Sequence, residues 1–159
     1  MSLSAASVMT RNVVTVQPDD SVMQVAQVLS AHKISAAPVC DRSGKLLGMV
    51  SEGDLMRPFG TQRSLARDWW LHLLAEGTEL APAFLDYVRA DTHRARDVMV
   101  APVITASEAT SLSDLADLLA QHRIKRVPVL RDGKVVGIVS RADLVRTLAT
   151  KPRVFADPA

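Results

Sequence analysis

The chain writes one pattern twice. GMVSEGDL at Gly48 to Leu55 returns as GIVSRADL at Gly137 to Leu144, 89 positions later. Residues 7–57 align with residues 97–146 at an offset of 90, which falls to 89 after one residue is lost in a turn; 19 of the 50 aligned positions are identical. A duplication of this size limits the fold more than any single motif does. Two copies are too few for a solenoid, so they are expected to pair as pseudo-symmetric halves. The expected organisation is a first repeat over 7–57, a helical insertion over 58–96, a second repeat over 97–150 and a tail over 151–159.

Each copy carries the same local signals. The runs at 13–16 (VVTV) and 103–105 (VIT) are rich in β-branched residues and read as strands. Ser21 and Ser111 stand where helix N-caps belong, with Gln24 and Asp114 three residues on in the place of a capping box. Val22, Val25, Ala26 and Leu29 share one helix face, as do Leu112, Leu115, Ala116 and Leu119. Pro38-Val39-Cys40 and Pro128-Val129-Leu130 then lead through a turn into apolar runs at 46–50 and 135–139. Asp132-Gly133 is a strong hairpin signal because both residues tolerate positive φ, and residues 41–44 are its looser equivalent. Closing helices follow at Leu55 and Leu144. The order is β-α-β-β-α, twice, an α+β arrangement.

The repeated motif puts a serine at the end of a strand and an aspartate in the first turn of the helix after it. Two readings of that corner stay open. Serine as N-cap and aspartate at the third helical position are what any helix start prefers, since both satisfy unpaired donors. Free amides and a hydroxyl at a helix start also suit a phosphate, while a carboxylate, an acceptor only, suits paired sugar hydroxyls. Duplication of the whole corner, each copy behind an identical glycine, favours the functional reading.

The ordered set Val8-Met9-Thr10, Ile34-x-x-x-Pro38-Val39 and Gly48-x-x-Ser51-x-x-Asp54, met again as Val98-Met99, Ile124-x-x-x-Pro128-Val129 and Gly137-x-x-Ser140-x-x-Asp143, resembles the cystathionine β-synthase (CBS) domain family. The resemblance covers both repeats, about 100 of the 159 residues. The insertion, with Trp69 and Trp70, looks like that of a bacterial subgroup of CBS-pair proteins. The resemblance implies a tandem module (a Bateman module) with sheets packed face to face and two clefts, each mixing the repeats. By position, the first cleft takes Thr10, Asn12, Val14, Ile34, Ser35 and Ala36 with Ile138, Ser140 and Asp143. Val14, Ile34 and Ile138 then flank an adenine, Ser140 meets phosphate or sugar, and Asp143 takes ribose hydroxyls. The second cleft takes Ile104, Ile124, Lys125 and Arg126 with Met49, Ser51 and Asp54; Val100 and Pro102 there replace Thr10 and Asn12. The implied ligand is an adenosine-containing molecule, AMP, ADP or ATP ahead of S-adenosylmethionine or NADH, bound without catalysis, and the implied assembly is a disk-like homodimer.

The basic cluster His122-Arg123-Ile124-Lys125-Arg126 has two readings: guanidinium groups that hold phosphate, or a solvated helix end where cations oppose the dipole. Its counterpart, His32-Lys33-Ile34-Ser35-Ala36, is weaker in charge. His32 and His122 fall at one late-helix position, which favours capping over catalysis. The insertion predicts a helix over 63–76, ended near Gly77, and a second over 78–89. Leu65, Ala66, Trp69, Trp70, Leu73 and Leu74 make an apolar face wide enough to need a cover, whether from this chain, a second copy or another protein.

Other classes fit poorly. There is no nucleophile elbow, phosphate-binding P-loop or metal-ligand spacing, so no catalytic residue, metal or catalytic cofactor is expected. Nineteen Lys and Arg against 17 Asp and Glu leave a net charge of +2, and aromatics are only 4%, which argues against nucleic acid. No apolar run approaches the roughly 20 residues that span a bilayer, and the start lacks signal-peptide character, so a cytosolic protein is expected. Cys40 is the single cysteine, which reads as a buried thiol. A structural dimerisation module without a nucleotide is the rival to a ligand sensor.

Overall fold

The computed structural model of the protein describes residues 3–56, 89 and 91–155. Among them the elements run α1 (Ala5–Val8), α2 (Val22–Ala31), β1 (Ala36–Cys40), β2 (Leu46–Ser51), α3 (Glu52–Met56), α4 (Ala95–Val98), β3 (Ala106–Ser107), α5 (Leu112–Gln121), β4 (Arg126–Arg131), β5 (Lys134–Ser140) and α6 (Arg141–Thr150), with a 3-10 turn at Pro152–Phe155. The architecture is mixed α+β with two sheets, β1–β2 and β3–β4–β5. The helices expected over 63–76 and 78–89, and with them Trp69 and Trp70, lie outside the described residues, apart from Arg89.

Local chemistry sets the helix limits. Ser21 accepts from the Gln24 amide at 3.1 Å, and Gln24 Oε1 accepts from the Ser21 amide at 2.8 Å, a closed capping box. Ser111 accepts from the Asp114 amide at 3.1 Å. At the other end both long helices stop in the same way. Ile34 donates to the Leu29 carbonyl at 3.0 Å and Lys33 to Ser30 at 3.2 Å; Ile124 and Arg123 repeat this with Leu119 and Ala120 at 3.1 and 3.3 Å. This is a Schellman closure, and it holds Lys33 and Arg123 at a left-handed φ of 52° where glycine is usual.

The strands begin later than the β-branched runs predict. Val16 forms a single bridge to Val39, and β3 starts at Ala106 rather than Val103. Proline is the reason. Val16 donates to the Pro38 carbonyl and accepts from the Cys40 amide, so the next rung of this parallel ladder needs an amide proton on Pro38, which has none. Pro128 truncates β3 likewise, leaving it paired only with Val129 and Leu130. The predicted hairpin forms at Asp132 (φ 53°) and Gly133 (φ 77°), where Arg131 faces Lys134.

Sequence repeats and compact units do not coincide. One unit joins Met1–Val14, Arg42–Leu46 and Pro102–Ala159; the other joins Thr15–Asp41 and Leu47–Ala101. In the first, Thr10 and Ile138 exchange backbone hydrogen bonds of 2.9 and 3.0 Å, so the opening of the first repeat edges the sheet of the second. In the other unit Met49 and Val100 exchange bonds of 3.0 and 2.8 Å. The motif glycines permit these approaches. A Cβ on Gly137 would stand 2.7 Å from Met9 Cγ, and one on Gly48 would stand 2.9 Å from Met99 Cγ, closer than side-chain carbons tolerate. The repeated methionine and the glycine of the repeated corner are therefore two sides of one contact.

Each unit buries its own apolar cluster. Met9, Leu112, Leu115, Leu119, Val127, Val129, Val139 and Leu144 build one. Val16, Val22, Val25, Leu29, Val39, Val50, Leu55 and Val98 build the other. Full burial of each large aliphatic side chain contributes about 1.5–3 kcal/mol.

Candidate functional site

Both strand-to-helix corners have the same internal geometry. Asp143 Oδ2 accepts from the Ser140 amide at 2.8 Å and the Ser140 hydroxyl at 2.8 Å, while Ser140 Oγ accepts from the Asp143 amide at 3.2 Å. Asp54 and Ser51 match it with 2.8, 2.9 and 3.3 Å. Each serine is thus a true N-cap. The serine proton is committed to the carboxylate, so while the box is closed Ser140 has no donor for a phosphate, and the expectation that it meets phosphate requires the box to open. Asp143 Oδ2 has both lone pairs filled, whereas Oδ1 keeps acceptor capacity. Donors such as sugar hydroxyls suit that oxygen. The two carboxylates are nearly buried, Asp54 at 8% exposure and the Asp143 side chain at 12%.

The unit built on β3–β5 holds Thr10, Asn12, Val14, Ile104, Ile124, Lys125, Arg126, Ile138, Ser140 and Asp143. Thr10 is tied to Ile138, and Arg126 faces Ser140 across the β4–β5 ladder. The Arg141 amide donates to the Lys125 carbonyl and its Nε to the Ile124 carbonyl, each at 2.9 Å. These bonds seat the Ile124–Lys125 backbone beside the corner. The other unit holds Ile34, Ser35, Ala36, Met49, Ser51 and Asp54. There the Glu52 amide donates to the Ser35 carbonyl at 2.9 Å, the same clamp with an acid in the place of Arg141. Ile34 and Ile124 also complete the helix closures and pack on the cores, so a structural duty accompanies the adenine-flanking role expected of Ile34 and the second-cleft place expected of Ile124. His32 Nδ1 lies 3.0 Å from the Val28 carbonyl at the end of α2, in keeping with a capping duty.

Two residues of this site escaped sequence reasoning. Arg141 occupies a position between serine and aspartate at which the repeats differ, and no pattern marked it. Arg146 lies one helical turn beyond Asp143, and its Nη1 stands 3.1 Å from Asp143 Oδ1. Charge spacing of i, i+3 on a helix was the available signal. Arg57, its counterpart in the first repeat, lies outside the described residues.

Cys40 is buried; burial, helped by the charge of Asp41, pushes its thiol up to about 11. Among the described residues no helix is long and apolar enough to cross a membrane, and no group of three or more His, Cys, Asp or Glu could hold a metal ion.

A duplicated corner of this kind, edged by the opening segment of the opposite repeat, is the arrangement of a CBS pair, and the CBS domain model matches residues 5–59 and 95–150. The chain belongs to the CBS domain family. It is 33% identical over 143 residues to an uncharacterized protein of Methanocaldococcus jannaschii, covering 85% of each chain. The CBS domain of a CBS domain-containing membrane protein from Sphaerobacter thermophilus superposes with a TM-score of 0.69 at 33% identity, over 91% of this chain and 87% of that one. CBSX2, known from Arabidopsis thaliana and solved in complex with AMP, superposes with a TM-score of 0.70 at 26% identity, over 95% of this chain and 99% of that one.

Proposed function

We propose that the protein is a regulatory, non-catalytic module that binds an adenosine-containing ligand, with Asp143 as the acceptor for the ribose hydroxyls. The observation that carries this is the Asp143 carboxylate itself: one oxygen is locked by Ser140 at a helix start, and the other lies 3.1 Å from Nη1 of the exposed Arg146. An acceptor beside an exposed guanidinium matches a molecule that brings hydroxyl donors and negative phosphates together. The AMP carried by CBSX2 supports the same ligand class. Thr10, Asn12, Val14 and Ile138, in the same unit, are the proposed neighbours of the base, and Asp54 is the equivalent acceptor in the other unit. In the family-based homodimer, Val145 and Leu148, 65% and 50% exposed on α6, supply apolar contact material.

A second reading, a dimerisation module without a nucleotide, draws on the closed capping boxes, which satisfy serine and aspartate without any ligand. A thermal-shift panel separates the two. AMP, ADP, ATP, S-adenosylmethionine and NADH are compared on the natural protein, Asp143→Ala and Asp54→Ala. A ligand at 100 times its dissociation constant adds about 2.7 kcal/mol of stability. Loss of that gain in Asp143→Ala identifies the corner, and a flat panel overturns the sensor reading.

A further inference from the structure

We infer that Arg146 is the residue by which the Asp143 corner selects phosphorylated over unphosphorylated nucleosides. This rests on the reading of Asp143 as a ribose acceptor. A carboxylate offers about four lone-pair positions. Ser140 fills both on Oδ2, through its amide and its hydroxyl at 2.8 Å each. Arg146 Nη1, 3.1 Å from Oδ1, fills a third. One acceptor position remains, and a vicinal diol brings two donors. A diol that binds fully while the Ser140 box stays closed must therefore displace the guanidinium.

What replaces that lost contact decides which ligand binds. With adenosine, the guanidinium returns to water and the ion pair is lost without return. With a nucleotide, the same guanidinium finds a phosphate, to which it can make a charge-assisted and bidentate contact. Arg146 is free to make the exchange: its side chain is 71% exposed, whereas that of Asp143 is 12% exposed and fixed by Ser140. Arg141 is less free to substitute, since its Nε is held by the Ile124 carbonyl at 2.9 Å.

The test is calorimetric titration of adenosine and of AMP into the natural protein, Arg146→Gln and Asp143→Asn, at low and high salt. In Arg146→Gln the AMP dissociation constant is expected to rise about 10-fold, the equivalent of one charge-assisted hydrogen bond at the low end of its range. Adenosine should bind as well as before or a few-fold tighter, and the salt dependence of AMP binding should weaken. Equal changes for both ligands in Arg146→Gln, with binding still lost in Asp143→Asn, would overturn the role of Arg146 while leaving the acceptor role of Asp143 intact. Failure of both ligands to bind the natural protein overturns both readings. Unchanged AMP affinity in Arg146→Gln also sinks the selection role, and that variant alters only an exposed side chain, so folding is not at issue.

Discussion

The two strand-to-helix corners are alike where the fold needs them alike and unlike in their surroundings. Ser140–Asp143 and Ser51–Asp54 form the same three hydrogen bonds to within 0.1 Å. The repeat that holds the first carries Lys125, Arg126 and Arg141 where the other repeat has Ser35, Ala36 and Glu52, while Arg146 is matched by Arg57. The retained hydrogen bonds start a helix, and any difference in ligand preference between the corners must come from the residues that diverged. The second corner should therefore take a less anionic ligand than the first, or take the same ligand more weakly.

The largest effect expected in a test of this comparison comes from the cores. Leu115→Ala should cost about 2–5 kcal/mol, and Val25→Ala, its smaller counterpart in the other unit, should cost less; urea unfolding reads both. Gly137→Ala and Gly48→Ala come next, each destabilising by about 1–3 kcal/mol, because the new methyl meets Met9 or Met99. Shortening the methionine should relieve the clash, and a double-mutant cycle without coupling would break the claim that glycine and methionine form one contact. Ser140→Ala and Ser51→Ala should each lose about 1 kcal/mol as caps, and by similar amounts. A clear inequality would show that the corners differ structurally as well as in charge.

A smaller difference separates Cys40 from Leu130, its counterpart. The folded state holds the Cys40 thiol up to about 11 against an ordinary 9.0. Below pH 9 the thiol is protonated in both folded and unfolded chains, so its contribution is complete there. Between about pH 9 and 11 the unfolded chain releases a proton that the folded chain keeps, and stability falls. Cys40→Leu should lack this part of the alkaline slope, as measured by denaturation across that range, and thiol labelling of the natural protein should be slow until it unfolds.

Much of this arrangement is written in local chemistry. The caps at Ser21 and Ser111, the hairpin at Asp132-Gly133 and both serine–aspartate corners depend on residues within three or four positions of each other. The strand starts were misplaced because β-branched runs report an extended backbone, whereas pairing depends on the partner's amides, which Pro38 and Pro128 lack. The compact units could not be read from the repeats alone: Met9 and Met99, and Gly48 and Gly137, are identical in both copies, so residue identity does not say which methionine meets which glycine. Arg141 stayed hidden for the opposite reason, since the repeats differ at its position, and Arg146, although matched by Arg57, is marked only by its i, i+3 spacing from Asp143.

The most direct test follows backbone amides by NMR in isotope-labelled protein during an AMP titration. The caps at Ser21 and Ser111 serve as internal controls, since they are serine N-caps of similar geometry with no proposed ligand. The expected result is saturable movement of the Ser140, Arg141 and Asp143 amides while those of Ser21 and Ser111 stay in place. Saturation with AMP that leaves the Ser140–Asp143 corner unmoved, or that perturbs all four caps alike, would contradict a nucleotide site at Asp143.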